Sequence, residues 1–205
     1  KMELRAGPRQ LYLRELHIQP YPFDGRVHLD VAMGGDGLRF DDYIVEVMAQ
    51  RTDVDSAGII RRYYNMTKRH STFDMFLGNE VALWDEFHPH LYRLVIDFGD
   101  GFLETAIGMR ELKTDSSQVM INQRPLYLRS VVMGNPGLES GSTLSAEQAW
   151  FDFLQKYKHW GFNHIRFEDY CPTESAFAMA DKLGLLLQPG GIKGEKQTKR
   201  VLNAY

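Results

Sequence analysis

The alternation of strand and helix patterns between residues 101 and 188 constrains the fold of this chain more than any other feature. Two apolar stretches lie within residues 119–133, and residues 146–160 have the 3.6-residue periodicity of an amphipathic helix. The short apolar segment Asn163–Phe167, a second helical segment and the run Leu185–Leu187 follow. This order predicts βαβ units, whose strands pair in parallel. Two such units fit either a β/α barrel or a doubly wound sheet, and the residues alone leave both open.

The two helices have recognisable ends. Ser145 is expected to cap the first helix, with Gln148 completing a capping box, and Gly161 to close it. Its apolar stripe is formed by Trp150, Phe153, Leu154 and Tyr157. The second helix is expected to begin after Thr173 or Ser175, to end at Gly184, and to bury Phe177, Ala180 and Leu183. Helical spacing favours core packing for these aromatic residues over a platform for sugars.

The first 110 or so residues are expected to be all-β, because apolar and polar residues alternate between turn-rich segments. The predicted strands are Leu11–Ile18, Arg26–Met33, Tyr43–Ala49, Ile59–Tyr64, Ser71–Leu77, Leu91–Asp97 and Phe102–Met109. Their spacing is typical of an antiparallel, immunoglobulin-like β-sandwich. Polar turns are then predicted at Lys113–Gln118 and Asn122–Pro125, with a strand over Leu126–Met133. We therefore expect a sandwich over residues 1–112 and a partial α/β unit over residues 113–205.

Composition excludes several classes of partner. The formal net charge of −3 offers no basic excess for a phosphate backbone, so no nucleic acid is expected. No run of about 18 apolar residues is present, so no membrane span is expected either. Cys171 is the only cysteine, which rules out an intrachain disulfide. The first residues lack the apolar core of a signal peptide, and the sequence assigns no compartment.

The segment Trp84–Tyr92 resembles a part of glycoside hydrolase family 2, the β-galactosidase, β-glucuronidase and β-mannosidase group. The matching residues there are Trp84, Pro89, Leu91 and Tyr92. Similar segments follow in the order of the family, at Ile107–Arg110, Ile121–Arg129, Gly161–Arg166 and Ala180–Leu186, and Leu11–Ile18 resembles an earlier strand. The resemblance implies an immunoglobulin-like sandwich followed by the first βα repeats of a (β/α)8 TIM barrel.

The resemblance also implies a retaining β-glycosidase that acts on a carbohydrate, a β-glycoside, without a cofactor. Such an enzyme needs two carboxyl groups about 5–5.5 Å apart. In the family these glutamates follow later barrel strands, so we expect no catalytic residue in this chain and no activity from it alone. The Asn79-Glu80 dipeptide matches the family's acid/base motif but lies in the sandwich, and we assign it no role. His88 and His90 lack a third ligand, so no metal is expected.

Arg166 is the best candidate for a substrate-binding residue, since it matches a family arginine of the sugar subsite. Glu168 and Asp169 follow it, at the rim where the active sites of barrels lie. The competing interpretation of these two acids is a surface cluster of salt bridges. Ser130–Gly134 and Arg166–Pro172 depart from the patterns of many family members, which argues against a galactosidase specificity.

Two other functions were weighed. A non-catalytic sandwich could bind glycans or a protein through aromatic residues such as Tyr63, Tyr64 and Phe73. A nucleotide-binding domain is disfavoured because no Gly-x-Gly-x-x-Gly follows a strand. An incomplete barrel would leave apolar surface near Leu126–Val132 and Leu185–Leu187, and we expect self-association, rearrangement or local disorder of residues 190–205 to accommodate it.

Overall fold

The computed structural model of the chain describes residues 12–35, 43–54, 58–99, 101–115, 117–138 and 145–191. The predictions for Leu11 and for residues 192–205 lie outside these ranges. Two compact units are formed: Lys1–Ala82 with Tyr92–Met109, and Leu83–Leu91 with Arg110–Tyr205. The second unit therefore includes a short segment that precedes the last strands of the first unit in sequence.

The first unit is built from antiparallel strands. They are β1 (Tyr12–Tyr21), β2 (Arg26–Gly34), β3 (Tyr43–Arg51), β4 (Ile60–Met66), β5 (His70–Phe76), β6 (Tyr92–Asp97) and β7 (Phe102–Ile107). One sheet has the order β1-β2-β5 and the other β4-β3-β6-β7, and every neighbouring pair is antiparallel. The predicted strands are thus confirmed to within a few residues at their ends.

Alternation of side chains explains why these strands form a β-sandwich. In β2 the side chains of Val27, Leu29 and Val31 are fully buried, while the residues between them are only partly covered. Strands β3, β5 and β6 show the same alternation, so each sheet buries one face. The rings of Tyr64 and Phe73 lie 4.7 Å apart and join β4 to β5. Phe73 is therefore buried, which makes the expectation that it stacks on sugars wrong.

The second unit begins with a small antiparallel sheet. Its strands are β8 (Leu112–Asp115), β9 (Gln118–Ile121) and β10 (Arg124–Pro125). The turn predicted over Lys113–Gln118 was too long, because residues 113–115 pair with β9 in an antiparallel hairpin whose last pair is Asp115 and Gln118. All four residues of β8 are exposed, so this edge strand lacks the apolar period that would have revealed it. Of the second predicted turn, Asn122–Pro125, only the first two residues form the turn, with φ angles of 47° at Asn122 and 65° at Gln123, while Arg124 and Pro125 pair with β9.

A parallel sheet with two helices follows. Its strands are β11 (Ser130–Met133), β12 (His164–Phe167) and β13 (Leu186–Gln188), and its helices are α1 (Ala146–His159) and α2 (Glu174–Leu183). The strand order is β11-β12-β13, with both pairs parallel, which confirms the predicted βαβ units. No helix among the described residues is long and apolar enough to cross a membrane.

The strand predicted over Leu126–Met133 begins only at Ser130. The amide of Leu126 donates to the carbonyl of Val119 at 2.8 Å, which ties this residue to the small sheet instead. The fully buried side chain of Asn163 then holds the backbone up to residue 129: its Oδ1 accepts from the Arg129 amide at 2.7 Å and its Nδ2 donates to the Tyr127 carbonyl at 2.9 Å. Hydrogen bonds to the distant residue Asn163 thus replace strand pairing in this stretch.

The helices pack against one face of the parallel sheet. The buried side chains there are Trp150, Leu154, Ile165, Phe167, Ala176, Met179, Ala180 and Leu185. Ser145 caps α1, since its Oγ accepts from the Gln148 amide at 3.2 Å, but the Gln148 side chain donates to Asp152, so the predicted capping box is only half formed. In α2 the predicted Phe177 and Leu183 are only partly buried, and the buried residues are Ala176, Met179 and Ala180.

Trp84, in the segment Leu83–Leu91, is held against the end of α2. Its indole Nε1 donates to the carbonyl of Asp181 at 2.8 Å. The Arg110 guanidinium lies 4.3 Å from the centre of the indole ring and also donates to the Asp181 carboxylate at 2.8 Å. Trp84 is fully buried in a cluster with Leu91, Ile121 and Leu126.

Glu86 makes a second attachment in the same segment. Its buried carboxylate accepts two hydrogen bonds from Arg124, at 2.6 and 3.3 Å. The ammonium group of Lys158 donates to the carbonyls of Glu86 and, at 3.0 Å, of Gly184. One lysine at the end of α1 therefore joins this segment to the turn that ends α2.

Candidate functional site

The parallel sheet has a second face that the helices do not cover. Ile165 and Phe167 of β12 point toward the helices and are buried. Because side chains alternate along a strand, His164 and Arg166 lie on the other face. The parallel register then places two rows of three residues on that face: Ser130, His164 and Leu186 in the lower row, and Val132, Arg166 and Gln188 in the upper row.

In the lower row Ser130 is exposed, whereas His164 is buried and Leu186 is partly buried. His164 is only 8% exposed, and its Nδ1 lies 2.8 Å from the Ser130 Oγ. Leu186 packs on the apolar cluster around Trp84. Burial lowers the pKa of His164 below its ordinary value, and the positive charge of Arg166 lowers it further. The imidazole is therefore neutral at pH 7 and forms one neutral hydrogen bond with the serine.

The upper row is open and lies toward the carboxyl ends of the strands. Val132 is 52% exposed, and Arg166 and Gln188 are exposed as well. Ligands of parallel α/β sheets bind outside the carboxyl ends of the strands. An exposed guanidinium beside an amide and an apolar side chain can bind a polar molecule that also has apolar surface, as a sugar ring does.

The chain beyond β12 forms a rim next to this row. The amide of Glu168 donates to the Met133 carbonyl at 2.7 Å, which extends the pairing of β11 and β12 by one residue. Asp169 has a φ angle of 47°, a left-handed conformation that aspartate tolerates better than most residues. Both acidic side chains are exposed.

Backbone contacts fix the rim to the segment after β13. The amide of Gly190 donates to the Tyr170 carbonyl at 2.9 Å. A Cβ atom on Gly190 would lie 2.0 Å from the Phe167 carbonyl oxygen, so only glycine fits there. We call residues 167–170 and 188–191 together the rim; its two halves are held in contact by this glycine.

The three predicted substrate-binding residues, Arg166, Glu168 and Asp169, thus lie at one end of the parallel sheet. Among the described residues, no ion pair joins Arg166 to either acid. This geometry gives no support to the interpretation as a surface cluster of salt bridges. Sequence reasoning missed Gln188 and the Ser130–His164 pair. They could be found only by combining the alternation of side chains along β12 with the pairing register of β11 and β13, which shows the residues that share a face.

The other motifs considered for chemistry lie elsewhere. The rings of His88 and His90 stack 6.2 Å apart, and the His88 Nδ1 lies 3.4 Å from the Asp85 carboxylate. Within the part of the chain that the structure describes, no group of three histidine, cysteine or acidic residues could hold a metal ion. Asn79-Glu80 is exposed in the first unit.

Comparison with known proteins finds similarity to glycoside hydrolases. No family model matches the chain. Over 118 residues it is 27% identical to a β-glucuronidase of Streptococcus agalactiae, a stretch that covers 55% of this chain and 19% of that protein. Over 124 residues it is 24% identical to a β-galactosidase of Actinobacillus pleuropneumoniae, covering 60% of this chain and 12% of the relative.

Solved structures share the fold. A glycosyl hydrolase family 2 member from Bacteroides cellulosilyticus matches 88% of this chain with a TM-score of 0.68 and 17% identity, over 25% of its own length. A β-glucuronidase from Bacteroides uniformis matches 95% with a TM-score of 0.66 and 21% identity, also over 25% of its length. A family 2 β-galacturonidase from Eisenbergiella tayi, bound to galacturonate, matches 88% with a TM-score of 0.60 and 17% identity, over 33% of its length.

The fold is therefore that of a β-sandwich and a parallel β/α sheet as they occur together in glycoside hydrolases. More narrowly, the resemblance to glycoside hydrolase family 2 is confirmed by relatives named β-glucuronidase and β-galactosidase and by structural neighbours from that family. The chain spans between a tenth and a fifth of the length of these relatives, and a quarter to a third of the solved structures.

Proposed function

We propose that this chain is part of a retaining β-glycosidase, and that it supplies an immunoglobulin-like sandwich and the first three strands of a catalytic (β/α)8 barrel. The observation that carries the proposal is the uncovered face of the parallel sheet, with Arg166 exposed at the carboxyl end of β12. A barrel turns such a face inward and places its active site at that end. Glycosidases are the relatives named by the comparisons.

The position of the helices supports the barrel interpretation. Both α1 and α2 contribute to the core that buries Ile165 and Phe167, so they lie on one face of β12. A barrel keeps all its helices outside, whereas a doubly wound sheet covers both faces. The polar upper row on the other face suits a substrate-lined interior better than a helix-packed surface.

In this proposal Arg166 binds substrate. Its guanidinium donates to sugar hydroxyls or holds a neighbouring carboxylate in a fixed orientation. Glu168 and Asp169 accept hydrogen bonds from hydroxyls at the rim. The substrate is a β-linked glycoside, and hydrolysis proceeds between two carboxyl groups about 5–5.5 Å apart, one acting as acid/base and the other as nucleophile. In the family that the chain resembles both groups follow later barrel strands, and we therefore expect the 205 residues alone to be inactive.

The direct test compares the 205-residue chain with the product of its whole reading frame, using 4-nitrophenyl β-glycosides of several sugars. We expect turnover by the longer protein and none by the 205 residues. Turnover by the chain alone would show that its catalytic carboxylates are present after all. A longer protein that folds but hydrolyses none of the glycosides would refute the proposed activity.

The role of Arg166 is tested in the longer protein. Removing a charge-assisted hydrogen bond costs about 1.5–3 kcal/mol, so Arg166→Ala should lower kcat/KM by roughly ten- to a hundredfold. Arg166→Lys keeps the positive charge but not the planar, two-pronged arrangement of N–H donors, so it should recover only part of the lost kcat/KM. Arg62→Ala removes an exposed arginine from β4 and serves as the matched control. Equal effects of Arg166→Ala and Arg62→Ala would contradict the assignment.

One observation favours the alternative of a glycan-binding sandwich. Tyr63 is 64% exposed on β4, and its hydroxyl donates to the Glu46 carboxylate at 3.2 Å, which holds the ring in place. Calorimetry with oligosaccharides tests this function in the 205-residue chain. Binding that is lost in Tyr63→Ala and Tyr64→Ala would support it, and the absence of any binding would exclude it for the sugars used.

A further inference from the structure

Gln188 faces the same side of the parallel sheet as Arg166 and is its direct neighbour. The register of β12 and β13 pairs these two residues, and neighbouring strands lie about 4.8 Å apart. Both side chains are exposed. The Gln188 amide forms no hydrogen bond with any other residue in the described parts of the chain. Its donor and acceptor are therefore free for a ligand.

The two side chains complement each other chemically. A guanidinium can only donate hydrogen bonds, whereas a carboxamide both donates and accepts. A sugar hydroxyl needs both kinds of partner, because it carries one donor and two acceptor positions. Val132, on the other side of Arg166, adds an apolar surface and no hydrogen bond. Gln188 is thus the group in the upper row that can accept a hydrogen bond from a hydroxyl.

The position of Gln188 is fixed by its surroundings. Pro189 restricts the backbone immediately after it. Gly190 then contacts the Phe167 carbonyl and donates to the Tyr170 carbonyl, so the end of β13 cannot move independently of the rim. The backbone that carries the Gln188 carboxamide is therefore fixed, and a hydroxyl out of its reach would leave a polar group unpaired, which discriminates between hydroxyl positions.

We propose that Gln188 is a specificity-determining residue that recognises one hydroxyl group of the sugar bound beside Arg166. This inference rests on the proposed glycosidase function and adds to it a residue that selects among sugars. It predicts that the identity of residue 188 changes which hydroxyl configuration is preferred, while leaving the chemistry of bond cleavage in place.

The experiment uses the longer protein and its best substrate among the 4-nitrophenyl β-glycosides, together with the monodeoxy analogues of that substrate. Gln188→Leu is expected to lower kcat/KM for the parent sugar about three- to tenfold, which corresponds to the loss of one neutral hydrogen bond. Most of this change should be a higher KM. For the one analogue that lacks the recognised hydroxyl, the same substitution should have almost no effect. Gln188→Glu keeps an acceptor and should retain part of the activity. Gln155→Leu, on the exposed side of α1, is the matched control.

The outcomes separate this inference from the proposed function. Wild-type protein that hydrolyses no glycoside refutes the glycosidase proposal itself. Wild-type activity combined with equal losses for every deoxy analogue, or with no loss in Gln188→Leu, refutes the role of Gln188 and leaves the glycosidase proposal standing. A loss that disappears for a single deoxy position supports the role and names the hydroxyl.

Discussion

The pair Glu86–Arg124 allows a sharp test of how the second unit is held together. The Glu86 carboxylate is almost fully buried, with a side-chain exposure of 3%, whereas the Arg124 side chain is 37% exposed. The hydrogen bonds that Arg124 donates to Glu86 raise the pKa of Arg124 despite the opposing effect of burial, so the guanidinium keeps its charge. Because the partners differ in exposure, removing one of them should not cost the same as removing the other.

The magnitudes follow from what each substitution leaves behind. Arg124→Met leaves the buried carboxylate without its partner, which typically lowers the free energy of unfolding by about 3–5 kcal/mol. We expect a loss at the lower end of this range because the Lys158 ammonium group is near. Glu86→Gln leaves a partly hydrated arginine that can still approach Asp85, now at 3.4 Å. We therefore expect a loss of about 1–2 kcal/mol for Glu86→Gln. The double variant should be more stable than Arg124→Met alone, since the buried charge is gone.

Tryptophan fluorescence during urea unfolding measures these effects selectively. The three tryptophans, Trp84, Trp150 and Trp160, all belong to the second unit. The pair Arg93–Glu104 in the first unit is the matched control, because it has two hydrogen bonds of 2.7 Å but is half exposed. Its removal should leave the fluorescence transition unchanged.

Two results would refute the reasoning. Equal losses for Arg124→Met and Glu86→Gln would mean that exposure does not set the cost of an unpaired charge here. A double variant that is less stable than Arg124→Met would mean that the ion pair contributes more to stability than the burial of its charges costs.

Three further predictions concern the parallel sheet. Gly190→Ala should lower the free energy of unfolding by about 1–3 kcal/mol, because its Cβ would lie 2.0 Å from the Phe167 carbonyl oxygen. Urea unfolding measures this loss, and Gly134→Ala, whose Cβ would meet nothing within 4 Å, should leave stability unchanged. Because the pKa of His164 is lowered in the folded state, the unfolded state binds more protons as the pH falls. The contribution of His164 to stability is therefore complete above about pH 6.5 and declines below it. A His164→Gln variant whose unfolding keeps the same pH dependence would contradict this. Val132→Lys, on the uncovered face, should reduce self-association of the 205-residue chain in sedimentation velocity, and a wild-type chain that is monomeric at all concentrations would refute the prediction.

Much of the fold could be predicted because local pattern and tertiary burial agree. In β2, Val27, Leu29 and Val31 alternate in sequence and are fully buried in the structure. In α1 the spacing of Trp150 and Leu154 likewise matches a buried stripe. Prediction failed where burial does not decide the conformation. Strand β8 is exposed at every position, and the strand predicted from Leu126 was shortened by hydrogen bonds to a distant asparagine.

The candidate site was only half accessible from sequence. Arg166 was found through its resemblance to a family motif, but Gln188 lies 22 positions away and becomes its neighbour only through strand register. The expectation of uncovered apolar surface failed at Leu126 and Leu185, which are buried, and was correct at Val132. These differences depend on which residues pair across strands, and a single sequence does not specify that.

The contacts of Trp84 and Glu86 give a physical reason for the motif that carried the resemblance. Both residues precede β6 in sequence, yet their hydrogen-bond partners lie in α2 and in the small sheet, at Asp181 and Arg124. A polypeptide that begins at residue 113 would lack both residues and would expose the cluster around Ile121 that Trp84 covers. The parallel sheet therefore depends on a segment from an earlier part of the chain. Substitutions of Trp84 or Glu86 should loosen the packing around Leu186 and His164. Because these residues neighbour Arg166, its position should also become less defined, although no residue of the open upper row is changed.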